Sequence, residues 1–84
     1  MPLRILIAED YPAIALGLRG LLEKRFEILE AADGELALTL ILEKCPNVVL
    51  LDVNLPGRTG ISVCQKAREK GSRSAIIMVS ARIE

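Results

Sequence analysis

At 84 residues the chain has room for one small domain, and a domain of this size buries only roughly 60–65% of the surface its unfolded chain exposes. Tyr11 and Phe26 are its only aromatics although 51% of it is hydrophobic, so the core is expected to be Leu, Ile, Val and Ala, the composition of buried sheets and their covering helices. Eleven basic residues balance eleven acidic ones without a basic run, which gives no electrostatic case for nucleic acid or an anionic membrane as a partner of this segment.

Arg4-Ile5-Leu6-Ile7-Ala8 reads as a first strand ending at Glu9-Asp10. Its apolar run is far too short for a signal peptide or a membrane span, so the chain is expected to be cytoplasmic. Tyr11-Pro12 opens a helix with Pro12 in the first turn, where a missing N–H costs nothing. Ile14, Leu18, Leu21 and Leu22 form one apolar stripe along it, and Glu23-Lys24-Arg25 closes it. Phe26-Glu27-Ile28-Leu29-Glu30-Ala31 interleaves charges with apolar residues, the habit of an edge strand. Asp33-Gly34 breaks it, and a helix runs from about Glu35 to Lys44 with Ala37, Leu38, Ile41 and Cys45 on one face. Leu36, Leu40 and Leu42 widen that stripe, which either reflects a Leu-rich helix or marks a partner surface.

Pro46 stops the second helix, and Val48-Val49-Leu50-Leu51 follows as a run expected to be a central parallel strand buried on both faces. Asp52 stands at its end, and Pro56-Gly57-Arg58 marks a turn. Thr59 or Gly60 starts a third helix carrying Ile61, Val63, Cys64 and Ala67 on its apolar side. Gly71-Ser72 ends it, and Ala75-Ile76-Ile77-Met78-Val79 reads as a fourth buried strand ending at Ser80. Cys45 and Cys64 both lie in helical stretches and are expected to be core or half-buried, in keeping with a reducing cytosol. Without His or a CxxC spacing, they do not form a Cys/His zinc site.

The order is βαβαβαβ, with connections long enough for right-handed crossovers. The most apolar strands, the first, third and fourth, are expected inside, and the mixed second strand at the edge. The expected fold class is therefore α/β, a doubly wound parallel sheet of strand order 2-1-3-4 whose switch point lies between strands one and three. Glu9, Asp10 and Asp52 then converge at the carboxyl edge of the two switch-point strands, with Ser80 beside Asp52. Three carboxylates this close repel one another, so without a cation at least one has a raised pKa. An oxygen-rich site with few protein ligands suits Mg²⁺, and a carboxylate beside it can attack a phosphoryl donor.

Glu9-Asp10 after the first strand, Asp52 within Leu-Leu-Asp-Val-Asn-Leu-Pro-Gly, Gly60, and Val-Ser-Ala at 79–81 together resemble the receiver domain of bacterial two-component response regulators, from Leu3 to about Ile83. The Ala-Glu-Asp-Tyr-Pro-Ala-Ile and Asn-Leu-Pro-Gly stretches are similar to receivers that precede LuxR-type (LuxR/NarL-like) helix-turn-helix output domains. The resemblance implies a flavodoxin-like fold. It makes Asp52 the phospho-acceptor and Asp10 a Mg²⁺ ligand, with Glu9 acting directly or through water and the Asn54 backbone carbonyl as a further ligand. Ser80 would take the switch-hydroxyl position and Ala81 the small residue that admits the phosphoryl group. Asn54 and Arg82 match variable positions that tune dephosphorylation, and Tyr11 stands where His is common. The implied donor is a histidine kinase and the implied output is transcriptional, the domain itself being regulatory rather than an enzyme.

Receivers also carry a fifth strand, with a phosphate-binding Lys at its start and an aromatic within it, and a helix on either side. The sequence ends at Glu84 ahead of these, so residues 1–84 are expected to form a single incomplete receiver domain. Its fourth strand is then an exposed apolar edge, which implies a homodimer or higher assembly through that edge or the uncovered sheet face. Two other classes fit parts of the pattern. A haloacid-dehalogenase-type phosphohydrolase also uses a strand-end Asp with Mg²⁺, but wants a second acid where this chain has Asn54. The other is a structural, self-associating βα fragment with an inert acidic pocket.

Overall fold

The computed structural model describes residues 2–79. Strands β1 (Arg4–Ala8), β2 (Glu27–Ala31), β3 (Val48–Asp52) and β4 (Ala75–Val79) alternate with helices α1 (Pro12–Leu22), α2 (Gly34–Lys44) and α3 (Gly60–Glu69). The strands form one parallel sheet in the order β2-β1-β3-β4, the doubly wound arrangement expected from the sequence. Ser80, Ala81 and Arg82 lie outside the described residues. No helix among the described residues is long and apolar enough to cross a membrane.

Side chains alternate across a strand, so the two faces of the sheet separate cleanly. Leu6 and Ala8 of β1, Ala31 of β2, and Val49 and Leu51 of β3 share one face and are fully or nearly fully buried. They pack with Ala37, Leu38 and Ile41 of α2, Val63 and Ala67 of α3, and Leu55 of the loop between β3 and α3. This is the main core, and it is aliphatic. Leu40 and Leu42 pack against it half-buried, so they belong to the helix's own stripe, whereas Leu36 faces outward.

The other face is covered less completely. Ile5 and Ile7 are buried, and α1 lies against β1 and β2. Val48 and Leu50 are only half-buried, which corrects the expectation that β3 is enclosed on both faces. The fourth strand is not interior as its apolar run alone suggests; β4 stands at the sheet edge, the exposed apolar edge also expected from the strand order, and Ala75, Ile77 and Met78 are exposed. Burial of a strand depends on having neighbours, and among the described residues β4 has β3 alone. Helix α1 buries no residue fully; Ile14, Leu18 and Leu22 are half-buried, while Leu21 is 80% exposed. Leu21 thus leaves the expected stripe, because a 3.6-residue turn carries it past the contact line. Ile61, at the start of α3, is exposed for the same reason.

Helix ends are set by specific groups. Asp33 Oδ1 accepts the Leu36 N–H at 2.8 Å to cap α2, and Thr59 Oγ1 accepts the Ser62 N–H at 3.2 Å to cap α3. Tyr11 precedes α1 without a side-chain cap, and Pro12 supplies the preset first turn. Cys45 ends α2 in the left-handed region, φ 48°, ahead of buried Pro46. That conformation turns its side chain out of the helix stripe, so Cys45 is exposed rather than part of the core, while Cys64 is half-buried as expected.

Glycines mark the closest approaches. A Cβ on Gly60 would collide with the Asp52 carbonyl, and one on Gly17 in α1 would meet nothing. Chemical denaturation should separate the two: Gly60→Ala is expected to cost roughly 2–3 kcal/mol through backbone displacement. Gly17→Ala is expected to add about 0.5–1 kcal/mol through helix propensity.

Candidate functional site

The site is built by strand register. Ala8 pairs with Leu51, so the next residue of each strand, Glu9 and Asp52, emerge side by side at the carboxyl edge of the sheet. This is the switch point, with α1 crossing to one face after β1 and α3 to the other after β3. Glu9 is anchored from the backbone, its N–H donating to the Ala31 carbonyl at 3.0 Å, and Asp10 follows it. One carboxylate oxygen from each of Glu9, Asp10 and Asp52 falls within 4.8 Å of the others. Glu9 and Asp52 are each only 6% exposed, and Asp10 is partly buried. The structure therefore brings together all three predicted carboxylates.

Their hydrogen bonding is uneven. Glu9 Oε2 accepts the Tyr11 N–H at 3.0 Å, and Asp52 Oδ1 accepts the Asn54 N–H at 3.2 Å. Among the described residues, Glu9 Oε1 and Asp10 Oδ1 are buried with no hydrogen-bond partner. Desolvation by burial raises the Glu9 pKa; the Tyr11 N–H opposes this, while the adjacent carboxylates of Asp52 and Asp10 reinforce it. Two orphaned acidic oxygens among three clustered carboxylates fit a hard divalent cation such as Mg²⁺, which takes oxygen ligands and offsets the repulsion.

The loop from Val53 to Thr59 closes over the carboxyl end of β3. Val53 donates to the Val79 carbonyl at 3.1 Å and Gly60 to the Val53 carbonyl at 2.9 Å, so the loop's ends are tied to β4 and α3. Gly57 takes φ +79°, as the Pro-Gly turn requires. Asn54 is exposed beside Asp52. Ser80 and Ala81 follow the strand residue Val79 that pairs with Asp52, but fall outside the described residues. Sequence reasoning took Arg58 for a turn residue and missed its reach: its Nε donates to Glu35 Oε1 at 3.0 Å and its Nη1 to Ser62 Oγ at 2.9 Å. The backbone bonds from Tyr11 and Asn54 to the acids each span two residues, and an acid at a strand end followed by a turn is the local signal for them. A cleft of about 470 Å³ lies at the opposite end of the sheet, between Cys45 and the 70–74 loop, remote from the carboxylates.

The response regulator receiver domain family matches residues 5–84. The chain belongs to that family. The receiver is 38% identical over 81 residues to the transcriptional regulatory protein DltR of Streptococcus agalactiae serotype III (strain NEM316), covering 95% of this chain and 36% of that protein. Its structure is similar to the signal receiver domain of the putative response regulator NarL from Mycobacterium tuberculosis (TM-score 0.88, 30% identity, 99% of this chain and 69% of that one). It is also similar to a DNA-binding response regulator of the LuxR family from Staphylococcus aureus (TM-score 0.88, 33% identity, 98% and 71%). The chain thus spans about a third of the length of DltR and about seven-tenths of these solved chains.

The raised Glu9 pKa makes a signed prediction. A group whose folded pKa lies above its unfolded one favours folding while protonated, and that contribution is lost as pH rises through the folded pKa. In EDTA, Glu9→Gln should therefore raise the thermal midpoint at pH 7, with the gain shrinking as pH falls through the raised range. Mg²⁺ should raise the wild-type midpoint at pH 7 and the Glu9→Gln midpoint much less. Equal Mg²⁺ responses in the two proteins would refute the assignment.

Proposed function

We propose that this receiver accepts a phosphoryl group on Asp52 in the presence of Mg²⁺, from a histidine kinase, and that the modified domain controls a transcriptional output. The observation that carries the reading is the convergence of Glu9, Asp10 and Asp52, with two buried oxygens that lack partners among the described residues. Glu9, Asp10 and Asp52, with the Asn54 backbone carbonyl, are the residues that would hold Mg²⁺, whose charge would offset that of the phosphoryl oxygens. Asp52 Oδ1 is held by the Asn54 N–H, and the Asp52 carboxylate supplies the attacking oxygen. A new O–P bond forms there as the bond from phosphorus to the donor's leaving atom breaks, its electron pair departing with the donor.

Ser80 would hydrogen-bond a phosphoryl oxygen, and Ala81 would leave it room. The domain is regulatory, cytoplasmic and free of nucleic-acid contacts of its own in this reading. The kinase and transcriptional roles draw on family membership and on the DltR and LuxR-family relatives. Intact mass after incubation with acetyl phosphate and Mg²⁺ tests the reading. Wild type should gain one phosphoryl group and Asp52→Asn none. A folded wild type that gains nothing would overturn it and leave an inert acidic pocket.

The same reading extends to assembly. Among the described residues β4 pairs only with β3, and its Ile77 is 52% exposed, so we infer that copies associate through this edge and the adjoining sheet face. Light scattering over a concentration series should show dimers or larger species, reduced by Ile77→Lys. A monodisperse wild-type monomer at every concentration would rule this out.

A further inference from the structure

The loop after Asp52 has a tether that the proposed chemistry does not use directly. Three elements meet at Arg58. Its guanidinium donates to Glu35 in the first turn of α2 and to Ser62 in the first turn of α3, while its backbone belongs to the 53–59 loop. The backbone beneath is equally tight: Gly34 N–H donates to the Pro56 carbonyl at 2.9 Å, and a Cβ on Gly34 would strike the Arg58 carbonyl. The Arg58 side chain is 26% exposed, so most of it is packed into this junction.

As a source of global stability the contact is minor, because the Glu35 side chain is 64% exposed and exposed ion pairs contribute little. Its effect is on loop freedom. The same loop carries the Asn54 N–H that holds Asp52 Oδ1, and the Asn54 carbonyl of the proposed metal site. A ligand set partly on a loop binds well only if the loop is already ordered.

We propose that Arg58 is a positioning residue: by fastening the 53–59 loop to both α2 and α3, it pre-orders Asp52 and Asn54 for a divalent cation. The inference rests on the acidic triad being a metal site. Arg suits the role because its planar fork engages a carboxylate and a hydroxyl together, which the Lys ammonium does not reproduce. Glu35 and Ser62 act through it.

Mn²⁺ is the probe, its affinity read by electron paramagnetic resonance, with amide exchange of Asn54 in the metal-free protein as a second readout. Loss of a supporting partner typically weakens a metal site by 10-fold or more, so Arg58→Met should bind Mn²⁺ about tenfold more weakly. The Asn54 amide should exchange faster, the thermal midpoint should change little, and Arg58→Lys should fall between. Arg4→Met, which removes the Arg4–Glu27 pair and the Arg4 bond to the Lys44 carbonyl, both remote from the carboxylates, serves as the control and should leave Mn²⁺ affinity unaltered. Unchanged Mn²⁺ affinity and Asn54 exchange in Arg58→Met, or an equal loss in Arg4→Met, would overturn the inference alone. A folded wild type with no Asp52-dependent Mn²⁺ binding would instead overturn the site reading beneath it.

Discussion

Parallel pairing of β1 with β3 is the constraint on which the rest depends. Those strands are not consecutive in sequence, and their adjacency requires the chain to cross one face through α1 and return over the other through α2. The register Ile5↔Val48 to Ala8↔Leu51 then brings Glu9 beside Asp52 with no further adjustment. A slip of one residue would send every side chain of β3 to the opposite face and Leu51 into the place of Asp52. The apolar residues Leu6, Ala8, Val49 and Leu51, which fill the face under α2 and α3, are what hold that register.

The site works against the stability of the fold that builds it. Buried carboxylates in mutual contact are desolvated and repel each other, and Glu9 Oε1 and Asp10 Oδ1 have no donors among the described residues to compensate. Protonation of Glu9 relieves this at lower pH, and the proposed divalent cation would relieve it at neutral pH. The surrounding backbone is correspondingly firm. Gly60 packs against the Asp52 carbonyl, Gly34 packs against Arg58, and the loop's ends are hydrogen-bonded to β4 and α3.

The two faces of the sheet differ in how they are finished. Under α2 and α3 the packing is close, with most residues fully buried and Met78 of the edge strand exposed. On the α1 side, burial fades from Ile5 and Ile7 to half-buried Val48 and Leu50 and then to exposed Ile77. Helix α1 itself rests on half-buried contacts and on Arg19, which bridges Glu23 and Glu30. Apolar surface of this kind along a strand edge that is unpaired among the described residues is where another polypeptide gains most by docking.

Element order, strand order and the acidic triad were legible in the sequence because each rests on local or repeating signals. Apolar runs, Pro12, Asp33-Gly34, Thr59 and Pro56-Gly57 mark the elements, and relative hydrophobicity orders the strands. Once that order is given, Glu9, Asp10 and Asp52 must meet. Periodicity says which face of an element is apolar, but only the tertiary structure decided how far that face is covered. That is why β4, Leu21, Ile61 and Val48 are more exposed than their composition suggests. The left-handed turn that exposes Cys45, and the reach of Arg58 to Glu35 across 23 residues of chain, were likewise decided only in three dimensions. Coverage and long-range hydrogen bonds depend on residues distant in sequence, and no local pattern records them.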